Sequence, residues 1–234
     1  ALPALAQSDY PAKPVKVITA RRVVAPMVKA LRPNGTLMGV HSHGHDPGME
    51  IVNTIWPDEN PFQRIRYERA DPAVIRIVLA RPETRNAQDK QMLYELNDAF
   101  DRAAADETVR VIILAADGPH FSSGHDLRDL RNPMSDHEPV GTWREYDKPA
   151  AEGYLAIEQE IYLGLCWRWR NIPKPTIAEV HGKVIAGGLM LVWPCDLIVA
   201  SDDAEFSDPV VALGVNGCEY FVHPYELGAR KAKE

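Results

Sequence analysis

No apolar run in this chain approaches ~18 residues, so nothing in it reads as a membrane-spanning helix. Basic residues do not dominate either: 26 Lys and Arg stand against 33 Asp and Glu, for a net charge of −7. With no basic stripe, nucleic acid is not an expected partner. Cysteine is scarce, with Cys166, Cys195 and Cys218 making an odd number without CxxC spacing. That argues against a disulfide framework or a zinc ribbon and fits reduced thiols in a cytoplasmic protein, with Cys195 and Cys218 as small core fillers. No internal repeat is visible. What remains is an ordinary globular composition over 234 residues, enough for one good-sized domain or two small ones.

The chain is organised around His181 to Asp196. A β-branched run, Thr176 to Val180, reads as a buried strand; a turn and the pair Gly187-Gly188 follow, then an apolar helix-like run, Leu189 to Trp193. A strand, a glycine turn and a helix in that order aim free backbone N–H groups at one point, with the helix dipole adding positive potential, a geometry that suits an anionic oxygen.

Residues 1–62 read as a leader of uncertain origin and poor structure. Ala4-Leu5-Ala6 looks like the tail of a signal-peptide cleavage site, but no charged n-region or long apolar segment precedes it. The start is similar to the mature start of periplasmic tricarboxylate-transporter binding proteins. Ala30 to Val52 resembles the late helix–strand–loop unit of a class I methyltransferase, without a glycine-rich cofactor loop upstream. His41, His43 and His45 alternate as on a strand, so their imidazoles can converge on a metal; a solvated loop after a strand is the plainer reading.

From Arg64 the pattern tightens into alternating strands and helices, which argues a layered α/β fold. Ile65 and Tyr67 alternate with charges, Asp71-Pro72 turns the chain, and Val74 to Leu79 is a second strand. Asp89 is placed to cap a helix through Ala105 whose Met92, Leu93, Leu96, Phe100 and Ala103 share one face. Val109 to Ala115 is apolar throughout, as in a strand buried on both faces. Leu127 to Leu130 reads as one helical turn, residues 131–150 as a mobile loop or lid, and Tyr154 to Trp169 as a long amphipathic helix. Leu197 to Ala200 and Glu205-Phe206 are further strands.

Residues 64–234 resemble the crotonase (enoyl-CoA hydratase/isomerase) superfamily. The resemblance rests on Arg81-Pro82 with Arg85-Asn86-Ala87, Phe121 to Leu127, Lys174-Pro175-Thr176, His181-Gly182, Ala186-Gly187-Gly188, Cys195-Asp196-Leu197, Phe206 with Pro209, and Leu213-Gly214. It implies a ββα spiral for residues 63–234, assembled as a homo-trimer or hexamer. The chain ends at Glu234 inside what reads as a helix, short of the helical part that covers the acyl pocket in such proteins, so a C-terminally truncated spiral is expected.

The resemblance further implies a coenzyme A thioester as substrate, no other cofactor and no metal. Two backbone N–H groups would hold an enolate-like oxygen, each contributing ~3 kcal/mol to transition-state stabilisation. Here those are the amides of His125 and Gly187, with Gly188 beside them. Arg85 and Ala87 would line the CoA channel, and Asp126, Leu127 and Arg128 would lie beside the pantetheine and adenine; Asn86 and Asp126 can equally be turn-capping residues. Hydratases of this family carry glutamates three residues after the oxyanion glycine and directly after the later proline. Met190 and Val210 stand there, and neither moves a proton. Glu219, Asp208 and His125 remain as acid/base candidates. Glu219, expected beside Met190, Val210 and Tyr220, would be desolvated and its carboxyl raised. The alternatives are a non-catalytic acyl-CoA-binding or assembly subunit of the same fold, and a metal-binding protein through the histidine cluster.

Overall fold

The computed structural model describes residues 60–129, 137–142, 148–214 and 219–233. The leader through residue 59, its histidine cluster, most of the 131–150 segment and Cys218 lie outside the described residues.

Five strands make the main sheet. β1 (Ile65–Asp71) turns at Asp71-Pro72 and runs antiparallel to β2 (Val74–Leu79). β3 (Val111–Ala116), β4 (Thr176–Val180) and β6 (Leu197–Ala200) then add in parallel, giving the order β1-β2-β3-β4-β6. A second, small sheet pairs β5 (Lys183–Ile185) with β7 (Glu205–Ser207) in parallel. Single bridges from Ser122 to Val184 and from Gln88 to His125 extend this second layer. The β4–β5 and β6–β7 turns each give one strand to the large sheet and one to the small sheet, and the earlier turns reach the small layer through single bridges. This is the expected ββα spiral.

β3 is buried on both faces along its whole length, which is why it reads as an unbroken apolar run. Ile112 and Leu114 face the main core with Met92, Leu96 and Phe100, while Val111 and Ile113 turn to the other face and join Val74, Ile177 and Val199. Helix α1 (Lys90–Ala105) begins where expected: Asp89 Oδ1 accepts from Met92 N at 2.8 Å.

Two local expectations are corrected. The predicted α-helix over Tyr154–Trp169 is longer and not uniform: α2 (Ala151–Glu158) passes through a π-helical turn (Gln159–Gly164) into α3 (Leu165–Arg170). The π turn inserts an extra residue per turn and buries Glu160, Ile161, Tyr162 and Gly164 together. At the organising stretch, β5 intervenes after β4, and helix α4 (Gly187–Val192) starts at Gly187 itself. With six residues, α4 has too few aligned peptides for a large macrodipole, so the site rests on individual amides instead. Leu127 and Arg128 form a turn, closed by Asp129 N donating to Asp126 O. Helix α5 (His223–Leu227) and a 3-10 turn (Lys231–Lys233) close the described chain. No described helix is long and apolar enough to cross a membrane.

Candidate active site

Two loops meet at the edge of the small sheet. Ser122, fully buried, is the hub of the first. Its Oγ donates to Asn86 O at 2.8 Å and accepts from Gln88 Nε2 at 2.9 Å and Gly124 N at 3.2 Å. Gln88 N donates to Gly124 O and Asp126 N to Gln88 O, so the bridge uses the residues on either side of His125. The amide of His125 is left facing away from Gln88. Ile185 N donates to Ser122 O and brings the second loop alongside.

In that second loop Ala186 takes φ 48° and ψ −114°, a backbone state disfavoured for any residue with a Cβ. Ala186 N is anchored on Ser207 O at 2.9 Å. The following peptide presents Gly187 N as a first-turn donor with no helical partner. The loops touch only because glycine is present in both. A Cβ on Gly124 would fall 2.7 Å from Ile185 O and 3.1 Å from Gly187 N; one on Gly187 would fall 2.8 Å from His125 Nδ1. Among the described residues, neither His125 N nor Gly187 N donates to a protein acceptor.

The other expected binding residues divide. Arg85 is exposed at φ 57°, its carbonyl accepting from Ser123 N, and Ala87 accepts Arg81 Nη1 at 2.7 Å. Asn86 spends its side chain inside, on Arg81 N, Asp117 O and His120 O, as a turn-fixing residue does. The Asp126 carboxylate is engaged by Arg81 Nη2 and Arg128 N, both at 3.2 Å. Leu127 and Arg128 are exposed at the rim. Gly188 packs on Ser122, whose carbonyl oxygen a Cβ would meet at 3.0 Å.

The acid/base groups gather on the other side of His125. Its ring stacks on Tyr162 with centroids 3.9 Å apart, and its Nε2 lies 3.1 Å from Glu158 Oε2. Tyr162 OH in turn donates to Gln88 Oε1 at 2.8 Å. Glu219 is only 7% exposed and its Oε2 has no hydrogen-bond partner. Burial pushes its carboxyl up; the Glu158 and Asp208 carboxylates add to this, while the His125 and His223 rings oppose it. One ligand atom each from His125, Glu158 and Glu219 lie within 4.8 Å of one another. A histidine and two carboxylates at that spacing can exchange protons through water, and are also donors a divalent cation accepts. Asp208 is tied to the neighbouring His223 ring, its Oδ2 3.1 Å from His223 Nε2. Met190 and Val210 are buried and apolar, as expected.

Glu158 was missed by sequence reasoning. It is 33 residues from His125 and no motif marks it. The one available signal was two acids, Glu158 and Glu160, within the otherwise apolar inward course of the helix.

Comparison with known proteins places these loops in a family. The enoyl-CoA hydratase/isomerase family profile matches residues 69–234. Over 180 residues the chain is 48% identical to EchA13 of Mycobacterium tuberculosis, named as an enoyl-CoA hydratase; the match covers 74% of this chain and 57% of EchA13. It is 30% identical over 179 residues to 4-chlorobenzoyl coenzyme A dehalogenase-2 of an Arthrobacter species, covering 75% of this chain and 59% of that protein. The crystal structure of a probable enoyl-CoA hydratase from Mycobacterium smegmatis superposes with a TM-score of 0.62 at 48% identity, covering 73% of this chain and 62% of that one. The chain thus spans less than two thirds of the length of these relatives. The methyltransferase-like and binding-protein-like features of the leader find no support in these comparisons. The matched profile and the shared spiral show that this chain belongs to the enoyl-CoA hydratase/isomerase family, with the crotonase fold.

Proposed function

We propose that this protein binds an acyl-CoA thioester and stabilises its enolate oxygen between the amides of His125 and Gly187, acting nominally as an enoyl-CoA hydratase or isomerase. The observation that carries this is the pair of closely packed loops, brought together by glycine, whose two N–H groups have no acceptor among the described residues. Two such donors preorganised in a protein site are worth ~3 kcal/mol each when negative charge develops on the oxygen they face. Glu219 is the proton-transfer group: it is buried, unpaired on one oxygen and raised toward the neutral acid. Gly188 and the rim residues Arg85, Ala87, Asp126, Leu127 and Arg128 line the approach. No cofactor beyond the CoA thioester is invoked.

Glu219→Gln tests this directly. Thioester binding, measured by calorimetry, should persist, while turnover of a 2-enoyl-CoA or 3-enoyl-CoA should fall ~100-fold or more. Unchanged turnover rejects Glu219; absent thioester binding by the wild-type chain rejects the oxyanion reading. Met190 and Val210 support a second reading, an acyl-CoA-binding or assembly subunit without turnover, for which binding would occur with no reaction in either assay. Exposed Trp167, Val211 and Tyr225 are consistent with assembly into a cytoplasmic homo-trimer or hexamer, checked by light scattering.

A further inference from the structure

We propose that Glu158 is the second proton-transfer group of this site, so that Glu158 and Glu219 together hold one water and hydrate an α,β-unsaturated thioester. This rests on the oxyanion reading above and goes beyond it, because neither residue occupies either of the two positions where the family's hydratases carry their glutamates. Those positions are Met190 and Val210.

Three observations carry it. The first is spacing. Carboxylate oxygens of Glu158 and Glu219 lie within 4.8 Å of each other. An oxygen making two ~2.7 Å hydrogen bonds at a tetrahedral angle spans about 4.4 Å between its partners, so one water fits between them. The second is asymmetry. Glu219 is buried with Oε2 unpartnered, and burial raises its carboxyl. Glu158 is more exposed and has its Oε2 3.1 Å from His125 Nε2. The third is support. The His125 ring is held on Tyr162, Tyr162 OH on Gln88, and Gln88 on Ser122. The residue that offers the oxyanion amide therefore also orients the base.

The chemistry balances without any other reactant. Glu158 takes a proton from the water as the water oxygen bonds to the β carbon. The π electrons of the C=C bond move toward the thioester, and the enolate oxygen rests on the amides of His125 and Gly187. The enolate then collapses as Glu219 gives its proton to the α carbon. One water has been added; Glu158 holds a proton and Glu219 lacks one, and the next water returns it between them.

The test separates this from failure of the underlying reading. In the full chain, three quantities are measured: thioester binding, exchange of the α proton of a saturated acyl-CoA with deuterium oxide, and hydration of a 2-enoyl-CoA. Glu158→Gln should keep binding and exchange within about threefold and lose hydration by 100-fold or more. Glu219→Gln should lose both reactions. Glu158→Asp, which keeps the charge, should recover part of the hydration and guards against a folding defect in the amide variant. Hydration within threefold of wild type in Glu158→Gln overturns the proposal. So does a wild-type chain that exchanges α protons but does not hydrate, which leaves the oxyanion reading standing. A wild-type chain that neither binds nor exchanges overturns both. Hydration abolished by EDTA and restored by Zn2+ also overturns it, in favour of a cation held by His125, Glu158 and Glu219.

Discussion

Gly141 and Gly164 lie backbone against backbone: a Cβ on Gly164 would come 2.8 Å from Gly141 Cα, and one on Gly141 would come 2.7 Å from Gly164 Cα. The contact seats residues 137–142 on the π-helical turn that follows Glu158. Gly164→Ala forces the two backbones apart. Overpacking of this kind costs about 1–3 kcal/mol, and each kcal/mol lowers Tm by about 2–4 °C in a chain of this size. Thermal unfolding of the variant should show that loss; a Tm equal to wild type would mean the two glycines are not in contact in solution.

The same seat depends on Glu160. Its fully buried carboxylate accepts from Val140 N at 2.7 Å, Gly141 N at 3.0 Å, Thr142 Oγ1 at 2.7 Å and Tyr94 OH at 3.2 Å. Glu160→Gln keeps the volume but points an NH2 group at donors. Leaving a buried donor without an acceptor costs about 1–3 kcal/mol. Limited proteolysis should cut the 137–142 segment faster in the variant, with global unfolding shifted less than local cleavage.

Ala186 gives a test with opposite signs. Its φ of 48° and ψ of −114° strain any Cβ, and the state orients Gly187 N. Ala186→Gly removes about 1–3 kcal/mol of strain against about 0.4–1 kcal/mol of added unfolded-state entropy, so its Tm should be equal to wild type or higher. Ala186→Val adds branching to the strain and should destabilise by more than 1 kcal/mol while weakening thioester binding. Equal Tm for all three chains would show that the positive φ is not kept.

What could be read from the sequence tracks how local the cause is. The Asp89 cap, the two-faced burial of β3 and the strand at Thr176–Val180 are set by short apolar runs and by a side chain three residues from its donor, and they were legible. Gly187 was legible because a tight approach needs glycine wherever it occurs. The π turn was not, since its Glu160 reaches Tyr94 on α1 and the 137–142 segment and its Tyr162 reaches Gln88, all far away in sequence. Glu158 was hidden for the same reason. Its meaning depends on His125 and on Glu219, 61 residues further on, and nothing in its own neighbourhood announces either.

Glu219 links pH to both rate and stability, and the two move together. Burial raises its carboxyl; Glu158 and Asp208 face it as like charges, and His125 and His223 face it as opposing groups. A carboxyl raised above its unfolded value, about 4.3, makes the native state the tighter proton binder. The stability this contributes is complete below the ordinary carboxylate range and is lost as pH climbs through the raised value. The rate of a step that needs the neutral acid falls over the same climb. Glu219→Gln removes the ionisation, so its Tm should exceed wild type on the alkaline side of that window and converge with it on the acid side, while turnover is lost at every pH. A Tm difference that does not vary with pH would place the carboxyl in water, and the buried acid on which the chemistry depends would not exist.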